Sequence, residues 1–322
     1  MTTSNVPMTP STTPADLSHA TQLPYPHLWN SPGIVYDIRE VNEEAYLVRI
    51  RIAVYGVFVD VCQLLSEGLL EALNGKMVLR SLDLLLSGPK PQKVPYLVGY
   101  EVEEDSEQTL FDHLPDSLCP IPGTLSGIAD LVAQVSTPPL QRFLVSVFAR
   151  RDVTPDFWTM PAAATYHHAR RGGLAQHSLE VALDLSMSRG LTSHERDLGI
   201  AGALLHDIGK VWSYDNNTHL NAAAVALGHE QLGLTRIEPE LKELENEWTD
   251  GALALRAILS GQSRMRANGS LPTSLLARIK ACDQRSCEQD KARQGQKKFG
   301  QVQVWIPKPW ANECGEENGD PD

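Results

Sequence analysis

Residues 167–177 read His-His-Ala-Arg-Arg-Gly-Gly-Leu-Ala-Gln-His, and residues 204–210 read Leu-Leu-His-Asp-Ile-Gly-Lys. Imidazole nitrogens and carboxylate oxygens together are suitable ligands for Mn, Fe, Ni, Zn or Mg ions. Glycines within both stretches, at 172–173 and 209, break the chain and are expected to expose these side chains at helix ends. A carboxylate between apolar neighbours needs a metal or, as the alternative, a buried Arg or Lys partner. The two stretches therefore predict a metal site carried by helices.

The sequence around these stretches is helical. Apolar residues recur at helical spacing in seven segments, at residues 125–135, 140–148, 174–187, 194–206, 240–247, 252–259 and 274–285. The strand signal nearly vanishes after the cluster of breakers at 119–123. We therefore predict an all-α domain over residues 120–290.

The N-terminal part has a different pattern. Strand candidates lie at residues 34–36, 46–52, 58–61, 77–86 and 96–102, and a short helix is predicted at 64–73. The strand count fits an OB-like barrel or a generic small β domain over residues 26–110. The fold class is therefore predicted to be α+β, with the domain boundary near residues 105–122.

The two ends of the chain differ from both domains. Residues 1–25 are crowded with Thr, Ser and Pro, which predicts a mobile tail. Residues 291–322 are interpreted as a basic segment, a short strand at 301–306 and an acidic tail. Neither a signal peptide nor a membrane-spanning run is visible, so a cytoplasmic location without membrane partners is expected.

Charge excludes one class of protein. The chain of 322 residues carries 28 Lys and Arg against 40 Asp and Glu, a net charge of −12, which excludes a polybasic binder. Residues 260–300 nevertheless hold nine basic residues against three acids, a local charge of +6. This region either gathers a polyanion or is a solvated basic face.

The histidine and aspartate pattern resembles the HD superfamily of metal-dependent phosphohydrolases. In that family a His, a His-Asp pair and a distant Asp converge on one or two divalent metals in a helical bundle. The resemblance implies that His177, His206, Asp207 and Asp283 are the metal ligands. His229, in Gly-His-Glu, matches a further ligand of the family's binuclear members.

Two groups within the superfamily are similar to this chain. The β module followed by the helical segment resembles YhaM-type 3′–5′ exoribonucleases. Residues 166–182 also resemble the TraI-type HD domain of MobH-class conjugative relaxases. The chain departs from binuclear members at 259–263, where Leu-Ser-Gly-Gln-Ser stands in place of a His-His-Gly, which leaves a second metal open.

Other residues in the two stretches are candidates for substrate chemistry. Lys210 is placed to neutralise phosphate charge, and Arg171 with Arg170 could contact a phosphate through paired donors. His168 is a candidate second-metal ligand or general acid. Tyr166 would be the nucleophile if the chain were a relaxase.

The resemblance implies phosphodiester chemistry on single-stranded nucleic acid. Aromatic residues in the β module could stack on bases or could simply be core: Tyr36, Tyr46, Tyr55 and Phe58. A small-nucleotide phosphohydrolase is the first alternative. The second is a relaxase-like mobile-element protein or DNA-binding module with a weakened HD site.

Overall fold

The computed structural model describes residues 26–42, 46–87, 94–103, 106–163, 167–214, 219–261 and 273–299. These residues divide into two compact units. One is drawn from residues 1–118 and 145–155, and the other from 119–144 and 156–322. Residues 145–155 thus group with the β-rich part, and the predicted domain bounds stay a prediction.

The first unit is a closed barrel of five strands. The strands are β1 (His27–Asn42), β2 (Leu47–Val54), β3 (Val57–Leu64), β4 (Leu79–Leu86) and β5 (Tyr96–Val102), and the short helix α1 (Glu67–Ala72) joins β3 to β4. Neighbours around the barrel follow the order β1-β2-β3-β5-β4. Only the pairing of β3 with β5 is parallel among these strands. This order, with a helix between the third and fourth strands, is the OB-type arrangement.

Strand alternation builds the barrel core. Val48, Ile50 and Ile52 on β2 are fully buried, while the arginines between them are directed outward. Leu69 of α1 belongs to the same buried cluster. Gly33 allows a close approach of strands, because a Cβ there would lie 2.8 Å from the Ala53 carbonyl oxygen.

The second unit is helical. Its helices are α2 (Thr124–Gln134), α3 (Pro138–Phe148), α4 (Thr154–Thr159), α5 (Gly173–Ser186), α6 (Ser193–Leu205), α7 (Ala222–Arg236), α8 (Glu238–Glu247), α9 (Thr249–Leu259) and α10 (Thr273–Phe299), with the ends of α3 and α4 shared with the first unit. α5 packs against α6 and α10, and α7 packs against the 3-10 helix Ile208–Trp212. The predicted α+β class, with a β-rich module followed by helices, is confirmed.

Several element predictions were incomplete. β1 begins at His27 rather than at residue 34, and α10 continues to Phe299 rather than ending at 285. The helices α4 and α7 were not predicted. The predicted tail at 1–25 and strand at 301–306 lie outside the described residues.

A half-buried arginine, Arg151, connects the barrel to the turn after α3. The Arg151 guanidinium donates hydrogen bonds to the backbone carbonyls of Tyr36, Val35 and Ala72. We expect Arg151→Met to lower the free energy of unfolding by about 3 kcal/mol, because each buried carbonyl left without a donor costs about 1–3 kcal/mol.

Urea unfolding of the purified chain measures this effect. Arg49→Met is the matched control, since Arg49 meets Glu40 at 3.6 Å and is 46% exposed, and exposed pairs contribute about 0–1 kcal/mol. An equal loss of unfolding free energy in Arg151→Met and Arg49→Met would refute the stabilising role of Arg151.

None of the described helices combines the length and the apolar character that a membrane span requires.

Candidate metal centre

His177 lies in the first turns of α5, and the two preceding glycines allow it to be placed there. Gly172 adopts the left-handed conformation, with φ 79°, at the start of the helix. A Cβ on Gly173 would overlap the carbonyl oxygen of His168. The Gly-Gly pair therefore lets the chain before α5 fold back against the helix, and His177 is fully buried.

The His-Asp pair lies where α6 ends. Thr192 and Glu195 form a capping box at the start of this helix. Nine consecutive residues before His206 are buried, from Asp197 to Leu205. His206 is the C-cap, and Asp207 precedes the 3-10 helix Ile208–Trp212. The pair is thus presented at a helix end, as the sequence predicts.

Four of the five predicted ligands are linked by close contacts through His177 and Asp207. The Nε2 atom of His177 lies 3.1 Å from Oδ1 of Asp283 and 3.8 Å from Oδ2 of Asp207. The Nε2 atom of His206 lies 3.5 Å from the same Asp207 oxygen. Residues more than 100 positions apart in sequence are brought together because α10 packs against both α5 and α6.

His229 and Lys210 complete the contacts of Asp207. His229 Nε2 lies 3.1 Å from Oδ1, the oxygen opposite the one that faces His177 and His206. Lys210 Nζ donates to Oδ2 at 2.6 Å. The lysine predicted to neutralise phosphate charge therefore contacts the Asp207 carboxylate, and its side chain is 15% exposed.

The donor chemistry fits a divalent cation. The Nδ1 of His206 donates to the Ala203 carbonyl oxygen at 2.8 Å, so its Nε2 carries the lone pair. The Nε2 atoms of His206 and His177 are both buried without a hydrogen-bond partner, and both face carboxylate oxygens. An Nε2 lone pair and a carboxylate oxygen that face each other repel unless a cation lies between them.

The charge states of these groups suit metal binding. Burial lowers the pKa of His206, which keeps its imidazole neutral. Burial also raises the pKa of Asp207, but its interactions with His206 and the Lys210 ammonium and its hydrogen bond from His229 outweigh that effect and hold this pKa well below its ordinary value. At neutral pH the site presents neutral imidazole and ionised carboxylate, the forms that coordinate metals.

A thiol lies beside this set of donors. Within the described part of the chain, two triads have ligand atoms within 4.8 Å of one another, His177-His206-Asp207 and His177-Asp283-Cys287. The Cys287 thiol donates to Asp283 Oδ1 at 3.5 Å, and burial raises its pKa to about 12. No pattern in the sequence indicated this contact.

His168 packs against His177, and the carboxylates beside it are those of Glu180 and Asp290. It is fully buried, and its ring centroid is 5.1 Å from that of His177. Burial lowers the pKa of His168 to about 4. Its proposed role as a second-metal ligand or general acid stays a prediction.

The two arginines of the first stretch differ in environment. Arg170 donates to Asp290 at 2.8 Å and to Gln176 at 2.6 Å. Arg171 is exposed and remains the more accessible candidate for a phosphate contact. Tyr166 lies outside the described residues.

Much of the predicted basic region is engaged in contacts within the helical unit. Arg285 pairs with Asp184 at 3.3 Å, and Arg293 pairs with Glu180 at 2.7 Å. Arg278 donates to the Arg189 carbonyl. These contacts reduce the positive charge that α10 presents to solvent.

Asp290 anchors the first stretch to α10. Its carboxylate accepts from the His168 backbone N–H at 2.6 Å and from Arg170. Burial raises the pKa of Asp290, but these donors outweigh burial and lower it to about 2. Since the folded pKa lies below the unfolded one, the ionised carboxylate stabilises the fold above about pH 4, and this contribution is lost as pH falls towards 2.

We therefore expect Asp290→Asn to lower the free energy of unfolding by about 2 kcal/mol at neutral pH. The difference from wild type should shrink below about pH 4, as measured by urea unfolding across pH. Glu288→Gln is the control, because Glu288 lies on the same helix and bonds to Gln284 at the surface. A difference that stays constant down to pH 3 would contradict this linkage.

The family model for the HD domain matches residues 174–286. This segment contains the His206-Asp207 pair and Asp283, and His177 lies close to Asp207 and Asp283. Residues 174–286 form an HD domain. The resemblance to the HD superfamily predicted from the sequence is confirmed.

Relatives of this chain are exoribonucleases by name. The chain is 26% identical over 165 residues to 3′-5′ exoribonuclease YhaM of Bacillus subtilis, covering 49% of this chain and 51% of the relative. The Bacillus velezensis enzyme of the same name is 26% identical over 166 residues, covering 49% and 50%. That of Oceanobacillus iheyensis is 28% identical over 154 residues, covering 47% of each chain.

The chain therefore spans about half the length of the curated relatives it matches. These matches confirm the resemblance to YhaM-type proteins, and they give no support to the relaxase resemblance. No solved structure matches the chain at a significant level.

Sequence reasoning missed the residues that hold the histidines of the first stretch in place. Glu180, Ser286 and Asp290 contact the histidines of the first stretch. Glu180 stands three residues after His177, and Ser286 stands three residues after Asp283. A spacing of three residues places Glu180 and Ser286 each on the same helix face as a candidate ligand. This spacing was the sequence signal from which they could have been predicted.

Proposed function

We propose that the HD domain is the active site of a cytoplasmic, metal-dependent phosphodiesterase that hydrolyses single-stranded nucleic acid, with RNA as the first substrate to test. The observation that carries the proposal is the pair of buried Nε2 atoms of His177 and His206, which lack hydrogen-bond partners and face the carboxylates of Asp207 and Asp283. A cluster of this kind has the donor set for a hydrolytic metal site.

We propose that His177, His206, Asp207 and Asp283 would hold a divalent ion such as Mn, Mg, Fe or Ni. When bound, such an ion lowers the pKa of a coordinated water and polarises a phosphoryl oxygen. His229 is the candidate further ligand. Its side chain is 35% exposed, and its Nε2 lies beside Asp207 Oδ1. A hydrogen bond from His229 to Asp207 raises the pKa of that imidazole, so coordination by His229 would require the imidazole to lose a proton.

Two cationic groups are proposed to act on the substrate. Lys210 donates to Asp207 and would neutralise part of the charge of a phosphate bound beside that contact. Arg171 is exposed next to the first stretch and would bind a neighbouring phosphate through its paired N–H donors.

The choice of a polymeric substrate rests on the names of the relatives and on the barrel. Tyr36 and Phe58 lie with ring centroids 4.8 Å apart, and the Arg51 guanidinium lies 5.3 Å from the Phe58 centroid. Aromatic rings beside arginine on an OB-type barrel suit stacking with unpaired bases. Tyr46 is 72% exposed, whereas Tyr55 packs against His113.

The experiment is a substrate panel in Mn²⁺ with the full chain. End-labelled single-stranded RNA, single-stranded DNA and small nucleotides are incubated beside an EDTA control, and product lengths are followed. Stepwise shortening of RNA that EDTA abolishes is the expected result. Hydrolysis of nucleotides alone would favour the small-substrate alternative, and no hydrolysis in a metal-loaded protein would contradict the proposal.

A further inference from the structure

One buried hydroxyl joins both helices that carry the first and last candidate ligands. Ser286 of α10 is 1% exposed and lies behind His177, on the side away from Asp207. Its Oγ is 3.1 Å from His177 Nδ1, 3.1 Å from His168 Nε2 and 2.8 Å from Glu180 Oε2. Three polar partners at these distances use the full hydrogen-bonding capacity of a serine hydroxyl.

The directions of these three bonds follow from their chemistry. An ionised carboxylate only accepts, so the single Ser286 proton is donated to Glu180. The hydroxyl must then accept from both imidazoles, and each of those ring nitrogens must carry a proton. His177 is therefore held as the tautomer with a proton on Nδ1, and its lone pair is on Nε2, the atom 3.1 Å from Asp283.

Glu180 is itself fixed in place. One oxygen accepts from Ser286, and the other accepts from Arg293 at 2.7 Å and from Gln176 at 3.1 Å. These donors hold the carboxylate oriented toward Ser286. The negative charge of Glu180, at the end of the hydrogen-bond series from His177 through Ser286, makes the His177 Nε2 lone pair a stronger metal donor.

We propose that Ser286, oriented by Glu180, is a positioning residue that sets the tautomer and orientation of His177 for metal binding. The assignment rests on the proposed function in that it takes the cluster to be a metal site. Ser286 acts on His177 and does not itself contact the substrate or the ion.

The test compares Ser286→Ala with Ser286→Thr, which keeps the hydroxyl. Ser186→Ala is the matched control, because that hydroxyl bonds to the Leu183 carbonyl at the far end of α5. Two quantities are measured on the full chain, the histidine tautomers of the metal-free protein by ¹⁵N–¹H correlation NMR and the Kd for Mn²⁺ by calorimetry.

We expect Ser286→Ala to lose the pure Nδ1–H tautomer of His177 and to weaken Mn²⁺ binding by about 10- to 100-fold, the usual effect of removing a partner of a metal ligand. Ser286→Thr should restore both readouts, and Ser186→Ala should change neither. If Ser286→Ala fails to fold, Glu180→Gln gives the same readouts with the hydroxyl retained, and a weaker loss in the same direction is expected.

The outcomes separate this proposal from the proposed function. Unchanged tautomer and Mn²⁺ affinity in Ser286→Ala, with RNA hydrolysis intact in wild type, would overturn the role of Ser286 alone. A wild-type chain that binds Mn²⁺ and shows the Ser286 effect but hydrolyses no phosphodiester would overturn the function alone. No Mn²⁺ binding by wild type would overturn both.

Discussion

Asp207→Ala is expected to reduce phosphodiester hydrolysis by about 1000-fold or more. The Asp207 carboxylate lies at the middle of the cluster, in contact with His206, His229 and Lys210. Metal ligation contributes several kcal/mol of transition-state stabilisation, and each 1.4 kcal/mol is about tenfold in rate. The Kd for Mn²⁺ should rise by more than about 100-fold, because losing a ligand costs more than losing one of its supports.

Hydrolysis of labelled RNA and Mn²⁺ calorimetry measure the two effects. Asp207→Asn keeps the shape of the side chain and removes its charge, and we expect it to be inactive as well. Asp130→Ala, at an exposed position of α2, should behave as wild type. Full activity in Asp207→Ala would place the chemistry elsewhere in the chain.

Gly209→Ala is expected to destabilise the fold as strongly as Arg151→Met. A Cβ at this position would overlap the carbonyl oxygen of His229 and lie 2.8 Å from the Gly233 nitrogen. Both are backbone atoms of α7, which cannot rotate away as a side chain can. The helix must shift, and we expect the free energy of unfolding to fall by about 3 kcal/mol, the upper range for overpacking.

The same shift should disturb the metal centre, because His229 moves with α7. Gly295→Ala is the matched control, since a Cβ there meets no atom within 4 Å and helical Gly→Ala changes stabilise by about 1 kcal/mol. Urea unfolding of both variants measures the contrast. A Gly209→Ala chain as stable as wild type would show that α7 is not held against the 3-10 helix in this way.

The helices that carry the metal centre could be predicted because local rules and tertiary packing agree there. α6 has a capping box at Thr192, a buried apolar run and a glycine at 209 just after the ligand pair. The glycines at 172–173 signal the start of α5 in the same way. For these segments the sequence period, the caps and the burial all favour the same structure.

α7 could not be predicted because its own sequence contradicts a helix. Gly228 has φ 76° and ψ 157°, which interrupts helical geometry just before His229. Tertiary packing against the 3-10 helix holds the segment in place despite this break. β1 shows the same conflict, since Pro32 and Gly33 indicate a turn but pair with Ser81 and Arg80 of β4.

The support behind His177 depends on contacts that sequence patterns do not carry. Ser286 reaches His177 across 109 residues, and Asp290 reaches His168 across 122. A serine or an aspartate on a helix is ordinary at the surface, and only the packing of α10 on α5 gives these two their roles. Ligands can be recognised by residue type and order, whereas their supports follow from the three-dimensional arrangement.

The most direct test of the metal centre is calorimetric titration of the purified full chain with Mn²⁺, beside His206→Ala and Asp130→Ala. Saturable binding by wild type and Asp130→Ala, weakened more than about 100-fold in His206→Ala, is the predicted result. A wild-type chain that binds no Mn²⁺, or a His206→Ala chain that binds it equally well, would contradict the assignment of this cluster as a metal site.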